Sequence, residues 1–375
     1  MRVLIIGGGI GGLAAAVALR KVGIEASVVE RFDTIREVGA GLSIWSNAVN
    51  ALRQLGVEDK VLSAASVVER TSTRTSNGRI LAVNDFSDLS REASAPSICI
   101  HRAALQRILF EELSADVVRT GAQCAGFEGT SAILENGERI DADVLVGADG
   151  ISSVVREGLH GNTRVRYGGY TCWRGICPDT GVLEDRATIL AIGKGSQFGL
   201  WPCGKGRLYW FLTGNAPRGT NQGKTGAVEL CRDWAAPVPE VIDATPTNAI
   251  LQNDIVDRPP LRWWGRGRVT LLGDAAHATT PNLGQGACQA LEDAVVLAHC
   301  LKRGGNAEEA LREYERLRIP RTTSVVLDSW RSGRMFHATL PVLTWFRNRL
   351  LRSSLGDRIG KQMLRKLLTY RVPEL

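Results

Sequence analysis

The sequence predicts an α/β protein in which a parallel-sheet domain is interrupted by a mostly antiparallel sheet domain and followed by a C-terminal helical segment. Three observations predict it. The chain opens with an apolar, β-branched run that ends in Gly7-Gly8-Gly9-Ile10-Gly11-Gly12. A second apolar run, near the other end, stops at Gly273-Asp274 and leads into Pro281-Asn282-Leu283-Gly284-Gln285-Gly286. Between them lie aromatic stretches punctuated by Gly193, Gly204 and Gly214.

With 375 residues, the chain exceeds the ~250–300 at which single cores stop growing, so two interlocked domains are expected. Its 44% hydrophobic and 23% charged residues are ordinary for a globular protein. No apolar run approaches the ~20 residues of a membrane span. Met1 to Ile6 runs straight into the glycines without the features of a signal peptide, so a cytoplasmic protein is expected. Eight cysteines are scattered without CxxC pairs or nearby histidines; free thiols are expected, with no disulfide framework and no metal site. Cys172 and Cys177 have the C-x4-C spacing of flavin disulfide reductases, but they lie mid-chain rather than after the glycine loop. The net charge of +7 suits an anionic cofactor or substrate. No aromatic-basic motif accompanies it, so nucleic acid is not an expected partner.

Taken in order, Arg2 to Ile6 reads as a strand and Leu13 to Leu19 as a helix that Gly23 ends. Glu25 to Val29 is a second strand stopping at Glu30, which makes a βαβ unit. Val38 to Leu55 reads as a loop followed by a helix from Ser46. Val67 to Ile98 suggests strands of another sheet, and Arg102 to Leu113 returns to a helical period. Residues 117–146 read as short strands with a hairpin turn at Asn136-Gly137, and Asp143 to Ala148 as a buried strand ending at Asp149-Gly150. Tyr167 to Tyr170, Phe198 to Trp201 and Tyr209 to Phe211 are strands of an antiparallel sheet. Val269 to Leu272 is again a buried strand, Gly286 to Leu301 a helix, and the remainder helical. The first domain then comprises 1–68, 98–164 and 265–330, the sheet domain 69–97 and 165–264, and the tail 331–375.

Gly7, Gly9 and Gly12 form G-x-G-x-x-G between a strand and a helix, the Rossmann-like pattern. The first glycine permits the turn, the second lets backbone approach a pyrophosphate, and the third lets helix and strand pack closely. Glu30 follows Gly12 by eighteen residues, where a carboxylate accepts ribose hydroxyls; otherwise it is a surface residue. NAD and FAD fit this half equally. The second station favours FAD, because Asp274 can meet a polyol and Gly284-Gln285-Gly286-Ala287 offers free N–H groups at a helix start.

These motifs, in this order, resemble the single-component FAD-dependent monooxygenases of the para-hydroxybenzoate hydroxylase class, nearest the group with salicylate hydroxylase, urate hydroxylase and zeaxanthin epoxidase. The resemblance covers residues 1–330 and implies a Rossmann-like (GR2-type) FAD-binding domain. It implies that Gly7, Gly9, Gly11, Gly12, Glu30 and Arg31 hold the ADP part. Asp149 would belong to the motif shared by FAD and NAD(P)H, and Asp274 would bind the ribityl chain. Pro281, Gly284, Gln285, Gly286 and Ala287 would run beside the isoalloxazine, with Arg102 and Ser43 reaching the cofactor. Asp149 could instead only cap the helix near Ser152, and Arg102 could be a surface residue. His277 has no acid near it in sequence and reads as structural, and His101 and His299 as packing residues.

The implied reaction uses NADH or NADPH to reduce FAD; O2 then adds at C4a, and the hydroperoxide hydroxylates or epoxidises a small substrate. No second G-x-G-x-x-G follows a strand, so no separate nicotinamide domain is expected. The substrate should face Tyr170, Trp173, Gln197, Phe198, Trp201, Tyr209 or Phe211, with Gln197, Trp201, Tyr209 and Phe211 the chosen candidates; any of these aromatics could equally be core. Urate hydroxylase places an arginine at what looks like the position of Gln197, so a neutral, fairly hydrophobic aromatic or polyene substrate is expected. Alternatives are a reductase of the same fold (polyprenyl reductase-like) or a non-enzymatic flavin-binding protein; a halogenase would need W-x-W-x-I-P. The tail carries nine Arg or Lys and one acid between Arg334 and Arg371, a pattern that suits peripheral membrane contact or packing against its own domain. The chain could be a monomer or a homodimer.

Overall fold

The computed structural model describes residues 1–34 and 40–375; the first residues of the expected loop, Val38 and Gly39, lie outside them. The first domain is built on a five-stranded, all-parallel sheet in the order 269–271, 144–147, 2–6, 25–29, 118–119. Its central strands are almost wholly apolar because both faces are covered. Helix Ile10–Lys21 covers one of them, beginning earlier than Leu13, and packs against helix Gly286–Lys302. The two approach closely because Gly11 has no side chain: a Cβ there would lie 3.2 Å from that of Ala290.

The second sheet has seven strands in the order 251–257, 166–178, 207–215, 196–202, 187–192, 70–75, 80–85. All neighbours are antiparallel except 187–192 with 70–75, which run parallel. Its two faces have different neighbours. Leu208, Trp210 and Leu212 pack with Trp173, Phe198 and Leu200 against Ala227, Cys231, Val241 and Ile242 of two helices, Gly223–Cys231 and Val238–Asp243. The alternate residues Arg174, Tyr209, Phe211, Gln197 and Trp201 face the first domain. Trp173 and Phe198 are therefore core. Cys172 and Cys177 fall on opposite faces of their strand, and all eight cysteines are free and buried.

Two expectations need correction. Residues 67–98 are not all one sheet: only 70–75 and 80–85 join the seven strands, while Ser97–His101 pairs with Ser66–Val68 on one side and Gly41–Ile44 on the other in a small separate sheet. Between them Ser87–Ala93 is a helix, started where the Asp85 carboxylate accepts from the Ser87 amide at 2.9 Å. Beyond Lys302 the chain is helical as expected: Ala307–Phe336, Pro341–Leu351 and Ser354–Leu368. No helix among the described residues is long and apolar enough to cross a membrane.

Candidate active site

The glycine loop has the geometry its spacing foretold. Gly7 has φ +111°, and a Cβ there would lie 2.5 Å from the Ala148 carbonyl oxygen. A Cβ at Gly12 would lie 1.9 Å from the Gly7 oxygen, so the helix can start this close to the strand only with glycine. Gly9 differs, since a Cβ there would meet nothing within 4 Å. The space in front of it is open, and the helix behind it begins with no side-chain cap, so its first N–H groups point there unclaimed by side chains. Glu30 stands beside this opening. Its Oε2 accepts from the Gly8 amide at 2.7 Å and its Oε1 from the Phe32 amide at 3.0 Å. Arg31 is exposed, with its guanidinium 4.7 Å from the Phe32 ring centre. Gln106, which the sequence did not single out, donates to the Gly8 carbonyl at 2.8 Å and steadies the loop.

Two carboxylates lie further along. Asp149 does cap a helix, its Oδ2 accepting from the Val154 amide at 2.7 Å. Its Oδ1 is nevertheless buried with no hydrogen-bond partner, and burial pushes its carboxyl above the usual range. Among the described residues none hydrogen-bonds the Asp274 side chain. It is open to water yet flanked by protein, as a residue on the floor of a cleft would be. Desolvation raises its carboxyl, opposed by His277 and by Arg102, whose backbone amide donates to the Ala40 carbonyl at 2.9 Å. Arg156 of the helix that Asp149 caps ties the two together: it is buried and donates to the carbonyls of Ala275 and Ala276 at 2.9 and 3.1 Å. Sequence reading missed it because arginine usually signals surface.

The turn Pro281–Gly286 closes the cleft. Gly284 is left-handed at φ +61°, and a Cβ there would lie 2.9 Å from the Trp45 indole nitrogen and 3.5 Å from the Ser43 Cβ. The turn therefore packs on the strand that carries Ser43. The side chain of Gln285 points inward, its Oε1 accepting from Asn47 at 3.1 Å and from Gln289 at 2.9 Å. Only its backbone is left to face a ligand. Helix Gly286–Lys302 then begins with small residues and no side-chain cap, leaving Gly286 and Ala287 N–H groups toward the cleft.

His277 does have an acid, Asp293, sixteen residues on: Nε2 and Oδ2 are 2.6 Å apart. Asp293 also accepts from Arg318 at 2.7 Å, and Glu292 accepts from Arg318 and Arg321 at 2.6 Å each. Burial opposes the charge on Asp293, but His277 and Arg318 hold its carboxyl down to about 2. With every partner buried, His277 is part of the scaffold. His101 caps the helix after it, Nδ1 accepting from the Ala103 amide at 3.2 Å.

Across the cleft stands the inner face of the seven-stranded sheet. Trp201 and Phe211 stack with ring centres 5.3 Å apart, over Gly199, where a Cβ would lie 2.0 Å from the Trp201 ring. The Tyr209 ring lies against Gly41, and the Tyr170 hydroxyl donates to Asn282 of the turn at 2.8 Å. Tyr170 itself stacks on His337 at 3.7 Å. The site is thus bounded by the glycine loop, the strand of Ser43, the turn and this sheet.

The chain belongs to the FAD-dependent monooxygenases of the para-hydroxybenzoate hydroxylase class, and the FAD binding domain family matches residues 1–329. Among relatives, it is 40% identical over 374 residues to the aurachin C monooxygenase/isomerase of Stigmatella aurantiaca, covering 98% of each chain. It is 33% identical over 382 residues to the FAD-dependent urate hydroxylase of Klebsiella pneumoniae, covering 98% of this chain and 99% of that one. Among solved structures, Klebsiella pneumoniae HpxO complexed with FAD and uric acid superposes with a TM-score of 0.92 at 31% identity, over 98% and 97% of the two chains. The cofactor of this chain is accordingly FAD.

Proposed function

We propose that the chain is an NAD(P)H- and O2-dependent monooxygenase of a small, largely apolar aromatic or polyene molecule. The observation that carries the assignment of the site is Asp274, a carboxylate open to the cleft that no described residue hydrogen-bonds. The hydroxyls of a polyol chain would donate to it in place of water. Glu30 would take the adenosine ribose, and the open space before Gly9 the pyrophosphate. The free Asp149 Oδ1, with Arg102 and Ser43, would face the middle of the cofactor. The N–H groups at Gly286 and Ala287 would lie beside its ring system. When bound there, FAD supplies the electron transfer and oxygen activation that side chains cannot. The protein positions the substrate on the inner sheet face near Gln197, Trp201, Tyr209 and Phe211 and keeps water away with aromatic surface. The balance is substrate, O2, NAD(P)H and a proton in; oxygenated substrate, NAD(P)+ and water out.

The test is to purify the protein, record its flavin spectrum, and follow NAD(P)H oxidation and O2 uptake against phenols, quinolones and polyenes. Substrate-dependent oxygen uptake with matching product supports the reading. Substrate reduction without oxygen uptake would favour the reductase.

We also infer that the tail rests on an anionic bilayer surface. Residues 340–359 hold eight of the fifteen exposed large apolar side chains of the described molecule, including Leu343, Trp345, Phe346 and Leu355. The other side of these helices is packed: Leu367 and Leu368 are buried, and Arg347 donates inward to the Phe336 carbonyl at 3.0 Å. The outer side also carries Arg349, Arg352, Arg358 and Lys361. Two copies meeting there would bring like charges together, whereas acidic headgroups complement them. Wild-type protein should co-sediment with phosphatidylcholine vesicles containing phosphatidylglycerol and not with phosphatidylcholine alone. Replacing Trp345 and Phe346 with Ser should abolish this; unchanged binding, or dimerisation through this face, would remove the inference.

A further inference from the structure

Away from the flavin cleft, three distant segments of the chain enclose a cavity of about 390 Å³ whose charged lining is all positive. The hairpin turn 75–79 forms one wall, closed where the Thr75 amide donates to the Arg79 carbonyl at 2.9 Å. The turn 192–195 forms the second, and the Ser76 amide joins the two walls by donating to the Ile192 carbonyl at 3.0 Å. Helix Pro341–Leu351 forms the third. Its Arg347 donates to the Gly193 carbonyl at 3.5 Å and to the Phe336 carbonyl at 3.0 Å.

Arg79, Lys194 and Arg347 line this cavity, and no Asp or Glu does. Elsewhere on the surface Arg53, Arg119 and Arg186 pair with Glu58, Glu138 and Glu69, whereas among the described residues none of these three cations forms an ion pair. Arg347 is 5% exposed, and burial works against its charge with no carboxylate to offset it. Carbonyl oxygens take some of its N–H groups but leave that charge unopposed, a cost that an entering anion would relieve. The hydroxyls of Ser76 and Thr339 add donors that no hydrogen bond among the described residues engages. A guanidinium fork with two further cations suits the several oxygens of a phosphate. The volume lies within the about 300–1,000 Å³ of small-molecule sites, which leaves room for an organic group on that phosphate.

We propose that this cavity is a second ligand site, for an organic phosphate ester whose phosphate lies among Arg79, Lys194 and Arg347. None of the residues assigned to FAD or substrate lines it, and Trp201 stands at the far end of the strand that begins beside it, Ser196–Pro202. Two sources carry this chemistry, a soluble ester and a phospholipid headgroup. The second is open because the same helix exposes Val342, Leu343, Trp345 and Phe346 on its other side.

The experiment is calorimetric titration of the FAD-loaded full chain at low ionic strength, so that the glycine loop is already filled. The probes are glycerol 3-phosphate, dihexanoylphosphatidylglycerol below its micelle concentration, and glycerol as the uncharged control. Wild type should bind one or both phosphates and not glycerol. Arg79→Gln/Lys194→Gln should weaken that binding about tenfold or more, because two charge-assisted contacts are lost. Both side chains are exposed, so this variant should keep the wild-type melting temperature. If it does not, the two single variants decide the matter, each expected to weaken binding about threefold or more. Tighter binding of the short-chain lipid assigns the site to headgroups, and tighter binding of glycerol 3-phosphate assigns it to soluble esters. Equal affinity in wild type and variant, or no binding of either phosphate by wild type, overturns the proposal. The site does not rest on the bilayer contact of the tail: if vesicles fail to co-sediment but glycerol 3-phosphate binds, that contact falls and the site stands.

Discussion

His277 and Asp274 sit three residues apart on one short helix, and their surroundings are satisfied to opposite degrees. His277 belongs to a closed set with Asp293, Arg318, Glu292, Arg321 and Asn47, each buried polar group holding at least one other. Asp274 and the Oδ1 of Asp149 have no such closure among the described residues. The closed set carries charge into the interior, where an unpaired group is expensive, so each member has a partner. The closed set explains how helices Gly286–Lys302 and Ala307–Phe336 are held together. The open set explains where a ligand must come. In this molecule the residue that looks most like a catalyst in sequence is scaffold, and its quieter neighbour is the one proposed to meet the cofactor.

That contrast can be broken most forcefully at Arg318. Arg318→Met leaves Glu292 and Asp293 buried with too little positive charge, so denaturant unfolding should show a loss of about 3–5 kcal/mol. A loss under about 1 kcal/mol would mean the closed set is not what secures those helices. Asp274→Ala should do the reverse. The apoprotein should be about as stable as wild type, because no described residue hydrogen-bonds the lost carboxylate, while FAD affinity should fall about tenfold or more by flavin fluorescence titration. A destabilised apoprotein with full flavin retention would move Asp274 into the scaffold. Gly9→Ala is the finest probe. Its φ of −74° accepts alanine and no atom of the chain opposes the new methyl. Stability should stay within about 0.5 kcal/mol. FAD should bind more weakly, since the pyrophosphate is proposed to take that open space. Unchanged FAD affinity would place the pyrophosphate elsewhere.

Much of this was legible because it is local. The close approach of Gly12 to the Gly7 oxygen is a short-range constraint, although Gly7 itself also answers to the distant Ala148 carbonyl, and helix Ser46–Leu55 was read to the residue. The interruption of one domain by another followed from the order of the glycine stations. What sequence could not supply was which face of a strand meets which neighbour. Parity alone separates Trp173 from Arg174, but only helices Gly223–Cys231 and Val238–Asp243 decide that Trp173 is core and Arg174 looks into the cleft. Those two helices fall inside 165–264, the stretch expected to form the sheet domain, and had no expected element of their own. The pairing of His277 with Asp293 was hidden for a similar reason, since a turn and a helix start separate them. Arg156 and Arg318 looked like surface charge, and only tertiary packing buries them.

The contact of helix Ile10–Lys21 with helix Gly286–Lys302 has a consequence for how the protein is made. The glycine loop leaves the ribosome early, but the helix that packs beside it, and Asp274 with it, come far later. A nascent chain stopped before Gly286 would carry the nucleotide end of the site without its other wall. Tight flavin capture is therefore a late event in synthesis, and it reports that the chain has been completed through its long helices.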